Sequence, residues 1–83
     1  MPLCRGADGL NISEAFGKAL RARRKALGVS QEQLAHDAGI QRNYVSLIER
    51  GVNQPTITIL FKLAVALKCS PSELISETEA ELP

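Results

Sequence analysis

The apolar residues of this 83-residue chain recur at helical spacing in five segments. In the first segment they stand at Ile12, Phe16, Leu20 and Leu27, and the fourth segment is the run ITILFKLAVALK. Spacings of three to four residues gather side chains on one face of an α-helix, whereas strand-like alternation extends no further than the four letters TITI. The pattern therefore predicts an all-α fold.

Candidate caps and glycines set the ends of the predicted helices. A serine, threonine or asparagine before a helix can accept a hydrogen bond from a free N–H group, and glycine takes the left-handed conformation that closes many helices. The candidate N-caps are Asn11 or Ser13, Ser30, Thr56 and Ser70, and the closing glycines are Gly28, Gly39 and Gly51. The predicted helices are 12–27, one between Ser30 and Gly39, one between Gly39 and Gly51, 57–68, and 71–76.

Two of these starts, SQEQ at 30–33 and SPSE at 70–73, have the sequence of a capping box. In that motif the N-cap hydroxyl accepts a hydrogen bond from the N–H three residues on. The side chain of that third residue, Gln33 or Glu73, then bonds back to the N–H of the N-cap. We therefore expect both bonds at each start.

The chain divides into three parts. Residues 1–11 lack helical periodicity and are expected to form an extended or mobile arm. Residues 12–76 are long enough for one modest core, which predicts a compact five-helix bundle in a single domain. Residues 77–83 form an acidic C-terminal tail that we expect to fray. No part is left for an effector domain, so no small-molecule effector is expected.

Composition and motifs exclude several functional classes. Apolar residues make up 45% of the chain and charged residues 23%, as in ordinary soluble globular proteins. No apolar run approaches the ~20 residues of a membrane span, and MPLCRGADG lacks the apolar core of a secretory signal, which favours the cytoplasm and no membrane partner. Cys4 and Cys69 form no CxxC motif, and His36 and Asp37 lack a catalytic context. We therefore expect no metal, no cofactor and no enzyme activity.

The net charge of +1 hides an uneven distribution. Residues 18–25 hold five bases and no acid, and residues 73–83 hold four acids and no base. Residues 1–72 thus carry ten bases and five acids, a formal charge of +5. A basic body is compatible with a nucleic-acid partner, although a basic helix face is often only solvated.

The second and third predicted helices have the spacing of a helix-turn-helix. Gly39 allows a sharp turn between them, and the small side chain of Ala35 allows them to cross closely. The apolar residues that such a crossed pair would bury are Leu34, Ala38, Ile40, Val45 and Ile48. This crossing would hold the third helix at the surface, where its N-terminal half can enter a DNA major groove.

The segment VSQEQLAHDAGIQRNYVSLIERGVNQPTITILFKLAVALKCSPSELI resembles the DNA-binding domain of the XRE family, the class of the lambdoid phage repressors and Cro. SQEQLA, IERG, LAVAL and SPSELI occur in family order between about Ile12 and Ile75. The resemblance implies a lambda repressor-like fold and a double-stranded DNA partner. It implies base reading by Arg42, Asn43, Ser46 and Leu47, phosphate binding by Gln31, Gln41, Tyr44 and Asn53, and a buried ion pair between Arg24 and Glu49.

The chemistry of these side chains agrees with those roles. Arginine can donate two hydrogen bonds to guanine O6 and N7, and asparagine can pair with adenine N6 and N7. Arg42 and Asn43 are therefore suited to reading bases, although arginine also binds phosphate without reading sequence. Gln31 stands at a helix start that favours a phosphate, but it also fits as an ordinary first-turn residue. Tyr44 can touch the DNA backbone or simply pack its ring on the surface.

The fourth predicted helix is apolar on all sides. A single face would serve the domain core, so we expect a homodimer interface that includes Ile59, Phe61, Leu63 and Val65. The alternative is that the N-terminal segment or the fifth helix covers this surplus. The function that follows is a dimeric, sequence-specific transcriptional regulator, most simply a repressor, on a pseudo-palindromic operator. The rival is a protein-interaction module on the same fold, such as an antitoxin or a co-regulator adaptor.

Overall fold

The computed structural model describes residues 11–82 and contains five α-helices. They are α1 Ile12–Leu27, α2 Gln31–Ala38, α3 Arg42–Glu49, α4 Ile57–Ala66 and α5 Pro71–Ala80. No strand occurs within residues 11–82, and TITI is the start of α4, so the all-α prediction is confirmed. The predicted arm lies outside the described residues except for Asn11. No helix in this part of the chain combines the length and the apolar character that crossing a membrane requires.

The predicted N-caps form at four of the helix starts. The side chains of Asn11, Ser30, Thr56 and Ser70 each accept a hydrogen bond from the N–H three residues on. At Ser70 the capping box is complete, and the bond from its N–H to the Glu73 carboxylate holds the pKa of Glu73 below its usual value.

At Ser30 the prediction of a reciprocal bond is wrong, because that bond does not form. The Gln33 side-chain nitrogen donates to Asp37 Oδ1 at 2.8 Å, and the Gln33 side-chain oxygen does not accept from the N–H of Ser30. An amide side chain is a donor as well as an acceptor, and a bond to an ionised carboxylate is stronger than one between neutral groups. Asp37, one helical turn ahead of Gln33, therefore takes the amide that the capping box would have used.

The fifth helix is longer than predicted. It continues to Ala80 instead of ending near residue 76, so the first residues of the expected tail belong to the packed domain. Arg23 Nε of α1 donates to both oxygens of Glu77, at 2.8 and 3.0 Å. Thr78 is buried, and its hydroxyl donates to the carbonyl oxygen of Leu74. The Arg23–Glu77 bonds hold the end of α5 against α1, and the Thr78 bond lies within α5.

The core lies where the five helices meet. Its fully buried large side chains come from every helix: Leu20, Leu34, Val45, Ile48, Leu63 and Leu74. Helix α1 packs against α3 and α5, and α2 packs against α3 and α4. Helix α3 is therefore supported from behind by both α1 and α2.

A glycine inside α1 sets how closely α1 approaches α3. A Cβ atom at Gly17 would lie 2.5 Å from the carbonyl oxygen of Ile48 and 2.7 Å from that of Glu49. Both distances are too short for any real side chain, so only glycine fits at this position. The end of α3 thus rests directly on the α1 backbone.

Candidate nucleic-acid interface

Helices α2 and α3 cross closely at the turn that begins with Gly39. Gly39 has a φ of 72°, and the N–H of Ile40 donates to the carbonyl oxygen of Ala35 at 2.9 Å. Val45 and Ile48 of α3 have no exposed surface. The inner face of α3 is therefore fixed, and the same rotation directs its other face toward solvent.

The outer face of α3 begins with a polar tip formed by Gln41, Arg42 and Asn43, all of which are exposed. Gln41 is the N-cap residue, but its side chain makes no capping hydrogen bond, so the first N–H groups of α3 are left for another partner. Arg42 takes no part in the three ion pairs found within residues 11–82. The tip therefore offers donors that the described part of the protein does not occupy.

The other predicted contact residues continue from this tip. Ser46 and Leu47 lie one turn further along and are half-buried. Tyr44 is also half-buried and packs against the core, so its ring has the packing role that the sequence left open. Asn53 is exposed in the loop after α3, and its N–H donates to the carbonyl oxygen of Leu47 at 3.4 Å. The loop is thereby held against the end of the helix.

A nearly buried ion pair ties the end of α3 to α1. Arg24 Nε donates to Glu49 Oε2 at 2.6 Å and a terminal guanidinium nitrogen donates to Oε1 at 3.0 Å, with the side chains 11% and 3% exposed. A further N–H of this guanidinium donates to the carbonyl oxygen of Val29. This is the pair that the family resemblance implied for Arg24 and Glu49.

The structure adds a third member to this pair, Gln31. Its side-chain nitrogen donates to Glu49 Oε1 at 3.0 Å. Gln31 is the first residue of α2, so one carboxylate connects α1, α2 and α3. From the sequence, Gln31 was expected to bind a phosphate or to be an ordinary first-turn residue, because residues 18 positions apart carry no local signal of contact.

The apolar surface of α4 differs from the prediction. Leu63 is fully buried and Ile59 packs against the core, so the expectation that Leu63 lines a dimer interface is wrong. Phe61 and Val65 are 54% and 73% exposed, and Ile57, which the prediction missed, is 69% exposed. These three residues stand four apart and form one stripe, here called the α4 stripe. Leu60 and Ala64 of the core are also four residues apart, so the spacing alone does not distinguish the stripe from the core.

Residues 11–82 offer few other candidates for a functional site. Within residues 11–82 no three histidine, cysteine or acidic side chains gather in a way that could hold a metal ion. His36 and Asp37 are both exposed on α2, and Asp37 is engaged by Gln33. The polar tip of α3 and the residues around it are therefore the candidate site.

Known proteins share this arrangement. The sequence profile of the helix-turn-helix family HTH_3 matches residues 20–74. An uncharacterized HTH-type transcriptional regulator of Sinorhizobium fredii, y4dJ, is 31% identical over 70 residues, which cover 84% of this chain and 91% of that protein. The control protein C.SmaI of Serratia marcescens is 34% identical over 67 residues, which cover 81% of this chain and 80% of that protein. Some relatives are longer, and the chain spans 41% of two of them.

A solved structure agrees with these matches. The restriction-modification controller protein C.AhdI from Aeromonas hydrophila superposes with a TM-score of 0.73 at 44% identity. The superposition covers 75% of this chain and 94% of that chain. The profile match and these similarities together establish that the chain belongs to the HTH_3 helix-turn-helix family of DNA-binding transcriptional regulators, in the XRE or lambda repressor-like class.

Proposed function

We propose that this chain is a sequence-specific repressor that binds a pseudo-palindromic operator as a homodimer, with α3 in the major groove. The observation that carries the proposal is the exposed, acid-free tip of α3, which stands on the fully buried anchors Val45 and Ile48. A surface that meets a phosphate-lined groove must avoid carboxylates, and none occurs between Gly39 and Ile48. Base reading requires that this surface be held rigidly, as it is by the buried anchors of α3.

Four side chains of α3 would read base edges. Arg42 is suited to guanine and Asn43 to adenine, since each can form two hydrogen bonds with its base in the major groove. Ser46 can bond to several bases, and Leu47 can contact only the methyl group of thymine. Because Arg42 and Asn43 are the more exposed pair, they would carry most of the discrimination.

The remaining contacts would hold the DNA backbone. Gln41 and the uncapped N–H groups at the start of α3 can donate to one phosphate, assisted by the positive end of the helix dipole. Gln31, at the start of α2, and Asn53, in the loop after α3, can donate to others. Tyr44 has its hydroxyl as the only side-chain donor for such a contact. These contacts set the register in which the bases are read.

Selection of bound sequences from random DNA tests the base-reading roles. We expect the wild-type chain to enrich a palindromic motif, and Arg42→Ala or Asn43→Ala each to relax one position per half-site by about 1–3 kcal/mol. Arg50→Ala is the matched control, because Arg50 is exposed just after the other end of α3 and its removal should leave the motif unchanged.

The same experiment decides between the regulator and its rival. At about 0.1 M salt, nonspecific binding to DNA is already weakened, so any enrichment reports base reading. A wild-type chain that enriches no sequence under these conditions would favour the protein-interaction module. A motif that is unchanged in both tip variants would instead mean that other residues read the bases.

Dimerisation through the α4 stripe is the second part of the proposal. One eight-residue helix contacts only a few base pairs, which is too little to select a site in a genome. A two-fold dimer doubles the reading surface and places the half-sites about one helical turn, ~34 Å, apart. Ile57, Phe61 and Val65 offer the exposed apolar side chains that such an interface would bury.

A charge placed in the middle of the α4 stripe should separate the dimer. Phe61→Glu would put a carboxylate opposite its own copy in an apolar contact, and we expect it to weaken dimerisation at least about tenfold. Size exclusion with light scattering gives the mass across a concentration series. Ala22→Glu adds the same charge on the exposed face of α1 and should leave the dimer intact. A wild-type chain that stays monomeric at high concentration would contradict this part of the proposal.

A further inference from the structure

The Glu49 carboxylate is the junction of the three helices that build the DNA-facing side. Glu49 is the last residue of α3, and its side chain is 3% exposed. It accepts hydrogen bonds from Arg24 of α1 and from Gln31 of α2. A nearly buried anion with donors from two neighbouring helices allows little freedom in how those helices are placed.

Gln31 occupies the point where this junction meets the expected DNA backbone. It is the first residue of α2 and is half-buried. Its amide group has two N–H donors, and the bond to Glu49 uses one of them. The second N–H and the backbone N–H groups of Gln31 and Glu32 remain for a phosphate, whereas the N–H of Gln33 donates to the Ser30 hydroxyl.

From this geometry we infer that Gln31 is a positioning residue for base reading, acting through Glu49 on the orientation of α3. The inference rests on the proposed function. When the start of α2 sits on a phosphate, the bond from Gln31 to Glu49 passes that placement to the far end of α3. The base-reading tip is then aligned relative to the DNA backbone rather than only relative to the protein core.

The length of α3 makes this alignment matter. Arg42 and Glu49 are at opposite ends of the helix, about 10 Å apart along its axis at 1.5 Å per residue. A rotation of roughly 10° about the Glu49 end would move the tip by nearly 2 Å. Hydrogen bonds to base edges tolerate only a few tenths of an ångström, so a small loosening at Glu49 is enough to lose discrimination.

A positioning residue affects base discrimination, whereas a residue that only touches phosphate affects overall affinity. Replacing a residue that only touches phosphate weakens binding to every DNA sequence by the same factor, because phosphates carry no sequence information. Replacing a residue that positions α3 weakens binding to the selected duplex more than binding to any other duplex. The ratio of the two affinities is also independent of the folded fraction, so partial unfolding of a variant does not move it.

Gln31→Met tests the inference, since methionine keeps the length of the side chain and removes the donors. Binding is measured to the duplex that the wild-type chain selects and to a scrambled duplex of the same composition. We expect the affinity ratio to fall roughly tenfold, as for one lost hydrogen bond to a charged group. Gln33→Met is the matched control, because the Gln33 amide bonds only within α2, to Asp37, and its loss should leave the ratio unchanged.

Gln31→Lys provides the rescue, because an ammonium group can donate both to Glu49 and to a phosphate. We expect this variant to keep the wild-type ratio while binding both duplexes more tightly. An equal loss for both duplexes in Gln31→Met, no loss for either, or a failed rescue by lysine would overturn the inference. A wild-type chain that prefers no duplex would overturn the proposed function itself, and the inference with it.

Discussion

Replacing Arg24 with methionine is expected to lower the free energy of unfolding by about 3–5 kcal/mol. The change leaves Glu49, whose side chain is 3% exposed, as a carboxylate with Gln31 as its remaining side-chain donor. An ionised group that has lost its counter-charge away from water is among the costliest defects in a small domain. Urea unfolding followed by circular dichroism measures the loss, since a chain of this length is expected to unfold in two states.

Two further variants show whether burial is the cause. Arg21→Met removes an exposed arginine three residues away on α1 and should cost less than about 0.5 kcal/mol. The double variant Arg24→Met with Glu49→Met removes both charges and should recover much of the loss. A cost below about 1 kcal/mol for Arg24→Met would contradict burial as the cause, because exposed ion pairs contribute no more than that to stability.

The same ion pairs neutralise part of the basic cluster at residues 18–25. Of the five bases in residues 18–25, Arg24 is committed to Glu49, and Arg23 to Glu77 and Glu73. Two residues of the basic cluster therefore hold α1 in place: Arg24 binds α3 and Arg23 binds α5. The positive charge available to attract DNA is smaller than the sequence suggests, which places more weight on the polar tip of α3.

The fold was predictable where local signals determine it. Four helix starts follow from side chains that bond to the N–H three residues on, and the glycines near α1, α2 and α3 mark where those helices close. The buried positions of α2 and α3 follow from helical spacing alone. The orientation of the polar tip comes from the same pattern, because the anchors Val45 and Ile48 leave only one face for solvent.

What the sequence did not determine depends on contacts between distant residues. The extent of α5 is set in part by Arg23, 54 residues from Glu77, and the bond of Gln31 to Glu49 joins two helices. Leu63 was misassigned because an all-apolar helix has no polar face to mark its orientation, and only the packing of α4 decides which side is buried. Local patterns specify elements, whereas their rotation and their length depend on neighbours.

Gly17 is the position where such a neighbour leaves no room, and Gly17→Ala is expected to destabilise the domain by about 2 kcal/mol. Alanine in place of glycine normally favours a helix by about 1 kcal/mol. Here the new Cβ would lie 2.5 and 2.7 Å from the carbonyl oxygens of Ile48 and Glu49, which are backbone atoms and cannot rotate away. Overpacking of this kind typically costs about 1–3 kcal/mol, and this contact belongs at or above the upper end.

The strain should act on the face that we propose binds DNA as well as on stability. To admit a methyl group, α1 and the end of α3 must separate, which lengthens the 2.6 Å contact between Arg24 and Glu49. Gly17→Ala is therefore expected to reduce binding to the selected duplex more than to a scrambled one, in addition to lowering the urea midpoint. Ala22→Gly, on the exposed face of α1, measures the helix-propensity contribution in the same helix and should cost about 1 kcal/mol. If Gly17→Ala instead stabilised the domain by a similar amount, the direct contact between α1 and the end of α3 would be refuted.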